Sequence, residues 1–415
     1  MKAASYSQVE AKSETLPAAR FLALGVLCFC VVLSLTTWFS ATAVMPQLRS
    51  HWNLSQSDST FLALAIQLGF VVGAVASAAI GLADILSPRI LMAGASIALA
   101  FVNLGLIFVS SAWGAIALRI LTGVLLAAVY PPSLKLISTW FRRGRGTALG
   151  CVIGALTLGS AAPHAINALV RLDWEVVIIA TSAASLFSGI LIFAVREGPY
   201  SFAKSRFDPS QLGKTLTDRV FLLCTVGYLG HMWELYAMWT WLLSFVRARL
   251  SAGGAAPGDL ASILTFLIIA AGAPACVLAG AVADRIGRTF TTVALMMISG
   301  SCAAVIGATF NGPLWLFMLV GLIWGATVVS DSAQFSTIVT EAGIPSQIGT
   351  SLTMQLGAGY ALTVVAIWLL PTVTHWLGGW QWAFLALVPG PIIGSCAMAM
   401  LRRLPEAKLI AHGRR

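Results

Sequence analysis

Five ionisable side chains lie deep within long apolar stretches of this sequence, and most are of types that hold and release protons. Glu234 sits near the centre of residues 220–246, VFLLCTVGYLGHMWELYAMWTWLLSFV, with His231 one turn before it. Asp331 lies in GATVVSDSAQFST with Gln334 three residues on, Arg119 falls inside another apolar run, and His164 in the next, near Asn167. In a helix rising ~1.5 Å per residue, Glu234 would stand about 20 Å from both Arg219 and Arg247. That is close to the middle of a hydrocarbon core roughly 30 Å thick. An ionised carboxylate there costs at least ~3 kcal/mol, so a polar cavity or a proton must offset it. A rotation of ~100° per residue puts Gly227, His231, Glu234, Met238 and Trp241 on one stripe, which predicts contact between His231 and Glu234. Burial and pairing act on such a pair in opposite senses, leaving it poised to load and release a proton. The alternative is a static hydrogen-bonded pair that fixes helix packing. For His164 a structural hydrogen bond is expected.

Aromatic rings are dense around these groups: Trp38 and Phe39, then Trp233, Tyr236, Trp239 and Trp241. Rings of this kind stack on organic solutes or hold cations, although Trp and Tyr also collect at membrane interfaces. Trp38, Trp233 and Tyr236 are the candidate solute contacts. No nucleotide-binding loop of the GxxxxGK[ST] type occurs. No metal-ligand cluster and no nucleophile–base pair with workable spacing is present, so the chain is not expected to be an enzyme and no cofactor is implied.

The elements that must position these residues are membrane helices. Hydrophobic residues make up 58% of the 415 and charged residues 10%, well under the ~25% of a soluble domain. Windows of about 20 apolar residues predict helices near 21–45, 59–82, 90–110, 112–139, 146–170, 174–195, 220–246, 260–283, 290–311, 313–339, 345–371 and 380–401. The result is an all-α integral membrane protein. A cytoplasmic tail (1–20) would lead into a six-helix bundle (21–195), a central loop (196–219), a second six-helix bundle (220–401) and a short tail (402–415). The apolar run after Arg20 is too long for a signal-peptide core and reads as a retained first helix. The seven cysteines all fall in apolar segments and suggest filler rather than a disulfide framework.

The net charge of +10 would suggest nucleic acid in a soluble protein, but its distribution explains it otherwise. With both termini in the cytoplasm, twenty of the 25 Lys and Arg fall in cytoplasmic segments and four in outer loops, Arg119 being inside a helix. That is a strong positive-inside bias and implies contact with anionic lipid rather than with nucleic acid. The halves also echo one another. GLADILSPR after the second helix matches GAVADRIGR after the eighth, with Asp84 and Asp284 in register, as are Gly159 and Gly359. Two similarly oriented halves with a site between them are a recurrent transporter plan.

These residues resemble the major facilitator superfamily over essentially the whole chain. GAVADRIGR fits the family's signature loop, which implies a conformational latch formed by Gly280, Asp284, Arg285, Gly287 and Arg288. In the first-half copy, Ile85 and Ser87-Pro88 depart from the pattern, leaving Asp84 and Arg89. RILTG, Arg119–Gly123, resembles a second family motif whose Arg is associated with proton coupling. Gly150, Gly154, Gly159 and Pro163 form a degenerate version of an antiporter motif, and close helix packing is the preferred reading of these glycines. The resemblance implies that helices one, four, seven and ten line a cavity, while three, six, nine and twelve face lipid. Independently, the interiors of those last four helices hold no titratable side chain. On this plan Gln67, Gln355 and Tyr360 join the solute contacts, and Glu234, His231, Asp331 and Arg119 form the proton-coupling set.

The function expected is secondary active transport of a small solute by alternating access, driven by protons. The chain would act as a monomer in a cell membrane, with a bacterial inner membrane as the expected location. Two buried acids against one buried Arg favour a cationic or neutral solute, with a small-anion carrier second. A transport-inactive sensor is a distant third.

Overall fold

The computed structural model describes residues 16–79, 82, 86–141, 144–170, 173–200, 217–254, 258–342 and 348–414. Each of the apolar stretches forms helix, because inside a bilayer a spanning segment must satisfy its own backbone hydrogen bonds. Among the described residues twelve rods follow one another with no strand. The first six are α1 (Leu16–Leu35), α2 (Gln56–Ala79), α3 (Pro88–Leu104), α4 (Ala112–Leu126 and Tyr130–Ser138), α5 (Arg145–Val170) and α6 (Trp174–Leu191). The second six are α7 (Arg219–Ala252), α8 (Gly258–Ala270 and Gly272–Ile286), α9 (Arg288–Val305), α10 (Leu314–Val328 and Ser332–Ala342), α11 (Ile348–Trp376) and α12 (Pro389–Arg403). Ten of these rods, with their short extensions, are long and apolar enough to cross a membrane. The other two are α1, whose apolar part Ala19–Leu35 is shorter, and α7, which carries His231 and Glu234 along its 34 residues.

Besides the single-residue break of α8 at Ala271, three of the rods are interrupted. After Leu35 the chain turns through residues 36–39 before the short helices Ser40–Ala43 and Met45–His51. α4 breaks at 127–129, ahead of Pro131 and Pro132, and α10 breaks at 329–331. A proline removes one N–H and crowds the preceding turn, which accounts for α4. At the α10 break, Ser330, Asp331 and Ser332 supply side chains that compete for backbone groups. α7 runs through the same level uninterrupted.

The two halves meet along α2 with α11 and α5 with α8. Glycines make the second contact possible. A Cβ added at Gly150 would stand 2.6 Å from the Cys276 carbonyl oxygen, and one at Gly154 2.6 Å from that of Ala273. Such backbone-to-backbone approach is open only to a residue without a side chain. One contiguous buried core runs through both halves, from Leu27 and Leu35 to Phe335 and Met398. Outward, α3, α6, α9 and α12 expose Phe101, Phe187, Ile190, Met297, Ile392, Ile393 and Met400, the surface that lipid solvates.

Inside the first half a hydroxyl network ties α1, α3 and α6 together. Ser34 Oγ lies 2.8 Å from Ser188 Oγ and 2.9 Å from Ser96 Oγ. Asn103 Nδ2 donates to Thr181 Oγ1 (3.0 Å) and Ser182 Oγ (2.9 Å), and its Oδ1 accepts from Ser40 Oγ at 2.9 Å. Bonds of this kind contribute about 0.6 kcal/mol each between membrane helices; here they act as a set to fix three helix faces.

Candidate functional site

Between the halves, at the level of the helix breaks, aromatic rings from both sides interlock. Trp38, in the turn after α1, packs on Phe70 of α2 (ring centroids 5.4 Å apart), Tyr236 of α7 (5.3 Å) and Tyr360 of α11 (6.1 Å). Phe70 and Tyr360 approach to 4.1 Å, and the Tyr236 and Tyr360 hydroxyls lie 3.0 Å apart. Phe39 meets Trp239 edge-on at 6.1 Å. All six rings are buried. Three predicted solute contacts, Trp38, Tyr236 and Tyr360, are therefore brought together. Phe70 joins them without having been anticipated, since a lone Phe among the apolar residues of α2 carries no signal of its own.

Gln67 lies one turn from Phe70, and Gln355 little more than one turn from Tyr360. Both are fully buried. Among the described residues, neither amide atom of Gln67 has a hydrogen-bond partner, nor does Oε1 of Gln355 or Nε1 of Trp38 and Trp239. Gln355 Nε2 reaches only the Cys224 sulfur, at 3.5 Å. Trp233 does not join the ring cluster: its Nε1 donates to the Ala386 carbonyl at 2.9 Å, just before α12. Three residues separate Trp233 from Tyr236, a rotation of ~300°, enough to point the two at different neighbours.

The acids divide in the same way. His231 does not touch Glu234 as expected. Its Nδ1 lies 2.8 Å from Asp331 Oδ1 at the α10 break, and its Nε2 lies 2.6 Å from Ser332 Oγ. Tyr228 and Phe335 enclose the imidazole, with ring centroids 6.0 and 5.6 Å away. The break adjoins the other half, because Cys276 of α8 accepts from Ser330 Oγ at 4.0 Å and its own carbonyl oxygen abuts Gly150 of α5. Glu234 points the other way, into the second bundle. Its Oε1 accepts from Trp324 Nε1 of α10 at 2.6 Å and from Ser299 Oγ of α9 at 2.8 Å. A stripe read from one helix cannot separate residues that straddle a neighbour. His231 and Glu234 lie on either flank of α10, one meeting its break and the other its first segment.

Arg119 is used by the first half alone. Its guanidinium donates to the Thr37 carbonyl (2.9 Å), the Trp38 carbonyl and Ser40 Oγ (3.2 Å). The last carbonyls of a helix have no partner in their own turn, and Arg119 supplies donors where α1 stops. His164 is fully buried, but neither of its ring nitrogens is bonded. Asn167 bonds instead to the Ala43 carbonyl and, across the halves, to Ser262, each at 3.2 Å.

At the face that carries the chain ends, the predicted latch residues cluster in the second half. Gly287, at φ +108°, makes the turn from α8 to α9 in a conformation that disfavours side chains. Arg288 makes a bidentate pair with Glu341 (2.8 and 2.7 Å), donates to Gln334 Oε1 at 3.0 Å and lies 3.2 Å from Asp284. Asp284 in turn accepts from Thr147 Oγ1 of α5 at 3.3 Å, and a Cβ on Gly280 would stand 2.7 Å from the Gly146 carbonyl oxygen. Arg285 is exposed, and Arg89 is half-buried at the start of α3. Asp84 lies outside the described residues. Glu341, Thr147 and the C-terminal turn Pro405–Gly413, whose Ala411 N–H donates to Glu341 at 2.9 Å, were not anticipated. At the opposite face two clefts open between the halves. One, of about 350 Å³, is lined by Thr60, Phe61, Trp368 and His375; the other, of about 530 Å³, by Gln47, Asn167, Arg247 and Asp259.

Comparison with known proteins agrees with this architecture. The profile of the Major Facilitator Superfamily matches residues 27–362. The chain is 24% identical over 177 residues to the MFS-type transporter pytF of Aspergillus terreus, covering 42% of this chain and 58% of that protein. It is 26% identical over 219 residues to the MFS transporter asaE of Aspergillus flavus, covering 51% of this chain and 48% of the relative. It thus spans about half the length of these curated relatives. Among solved structures it superposes on the proton:xylose symporter XylE bound to 6-bromo-6-deoxy-D-glucose with a TM-score of 0.71 and 14% identity, covering 92% of this chain and 96% of that one. The nucleoside transporter NupG gives 0.69 and 13%, covering 91% and 99%. Two six-helix halves, a signature turn at Gly287 and a family match over most of the chain lead to one assignment: this multi-pass membrane protein belongs to the Major Facilitator Superfamily.

Proposed function

We propose that this chain carries a small solute across a cell membrane by alternating access, as a monomer, and that a proton moving on and off the His231–Asp331 pair drives it. The observation that carries this reading is the placement of that pair. It is buried at the break of a helix that borders the other half, with a hydroxyl on the second imidazole nitrogen. With Asp331 ionised and His231 neutral, Nδ1–H faces the carboxylate and Nε2 accepts from Ser332. Adding a proton to the ring reverses the Ser332 bond, so Ser332 must turn or find another partner. A protonation change is thereby converted into a change in the joint between the two α10 segments. Glu234 is assigned a supporting role, holding Trp324 and Ser299 inside the second bundle.

The distribution of basic residues supports a cytoplasmic position for the chain ends and the Arg288–Glu341 cluster, where Asp284 and Thr147 would latch the two halves in one state of the cycle. Anion carriage is disfavoured, because both terminal nitrogens of Arg119, the buried Arg among the described residues of the first half, already donate to Thr37, Trp38 and Ser40. The test uses proteoliposomes containing trapped pyranine, with uridine, D-glucose, benzoate and uracil added outside in turn. A solute that is carried with protons shifts the internal pH. Asp331→Asn should abolish that shift while Glu234→Gln retains it. The opposite pattern, or loss in neither variant, refutes the assignment of the pair.

A further inference from the structure

Resting on the reading of the ring cluster as the solute site, we infer that the solute is an uncharged cyclic amide: a lactam, imide or nucleobase-like ring. Two features of the cluster lead there. The first is an absence of available charge. Among the described residues, Arg119, His231 and Glu234, buried ionic groups on or against the elements that carry the cluster, have partners of their own. Arg119 bonds to Thr37, Trp38 and Ser40; His231 faces Asp331 and Ser332; Glu234 accepts from Trp324 and Ser299. A charged solute between these rings would shed its water without gaining a counter-ion, a cost of several kcal/mol or more. A neutral solute escapes that cost.

The second feature is the set of polar atoms left without partners. Buried polar groups are nearly always hydrogen-bonded, yet Gln67 Nε2 and Oε1, Gln355 Oε1, Trp38 Nε1 and Trp239 Nε1 are not. All four residues are at most 1% exposed, and they come from α2, α11, the turn after α1 and α7. A primary amide presents its donor and acceptor side by side, the complement of a cis-amide edge in which N–H and C=O are adjacent. Cyclic amides hold that edge rigidly and are flat. Their faces would stack where Trp38 and Phe70 now meet Tyr236 and Tyr360, exchanging ring–ring for ring–solute contact. The Gln355 oxygen and the two indole N–H groups would then take a second N–H and the remaining carbonyls. A site built to satisfy both kinds of atom should reject rings that lack the donor.

The test is binding to the purified full-length protein, read by tryptophan fluorescence and by thermal stabilisation. The probes are uracil, 1,3-dimethyluracil, benzoate and benzylamine. Uracil should quench fluorescence and raise the melting temperature, with dimethyluracil weaker by about tenfold or more and both ions inert. Gln67→Leu should bind the two uracils equally. Its ligand-free melting temperature should not fall, because it removes unsatisfied polar atoms rather than bonds. Tighter binding of either ion, or an unchanged uracil preference in Gln67→Leu, would overturn the inference. Uracil binding without proton movement in vesicles would sink the carrier reading alone. Proton-coupled flux of benzoate without uracil binding would sink only the solute class.

Discussion

Replacing Arg119 separates a structural role from a coupling role. In Arg119→Met the side chain keeps its length but loses the donors that now reach the Thr37 carbonyl, the Trp38 carbonyl and Ser40 Oγ. The Trp38 carbonyl then loses its guanidinium donor and the Thr37 carbonyl keeps only Ser40 Oγ at 3.0 Å, and each lost bond to the charged group costs about 1.5–3 kcal/mol. Removing a buried cation recovers part of that, leaving a net loss of about 3 kcal/mol. For a unit of 150–250 residues, 1 kcal/mol corresponds to about 2–4 °C. The first bundle should therefore melt roughly 6–12 °C lower. Arg119→Lys, which keeps the charge but not the fork, should fall between. The assay is fluorescence-detected size exclusion after a temperature series, run beside the pyranine flux measurement. If Arg119→Met melts with the wild type yet loses proton movement, the carbonyl-capping argument is wrong and Arg119 belongs with the proton pathway.

Two further outcomes test the contacts between and beneath the halves. Gly150→Val places a side chain against the Cys276 carbonyl, where even a Cβ would stand at 2.6 Å. It should hold α5 off α8 and raise maleimide labelling of the buried Cys276, followed by peptide mass spectrometry; unchanged labelling would refute the close seal. Glu341→Gln breaks the bidentate pair with Arg288 and weakens the acceptor for Ala411 N–H. Tryptic cleavage at Lys408 should accelerate roughly five-fold or more, from ~1–3 kcal/mol of lost charged hydrogen bonding. Arg285→Gln, at an exposed position, should leave it unchanged.

The architecture was readable because it is written in composition. Membrane spans need about 20 apolar residues, and the bare interiors of α3, α6, α9 and α12 mark the lipid side. Part of the ring cluster followed as well, since rings near mid-span in Trp38, Tyr236 and Tyr360 can be located by counting. What could not be read is which neighbour each helix face meets. His231 and Glu234 differ by ~60° around α7, and that difference decides between Asp331 and Trp324. The breaks at 36–39 and 329–331 hide for another reason: hydroxyls and a carboxylate mark them rather than glycine or proline. Without the first break the partner of Arg119 is invisible. Pro131 and Pro132 mark the break in α4, which the expected helix over 112–139 did not include, and Ser330–Ser332 mark that in α10.

The unbroken course of α7 sets how motion must travel. At ~1.5 Å per residue its 34 residues make a stiff bar of about 51 Å, pinned at mid-length where Tyr236 abuts Trp38 and Tyr360. A bar pivoted at its centre swings its two ends in opposite directions by similar amounts. The jointed α1, α4 and α10 are free to bend at one end while the other stays still. In the alternating-access cycle proposed above, opening at one mouth would thereby be geared to closing at the other through α7.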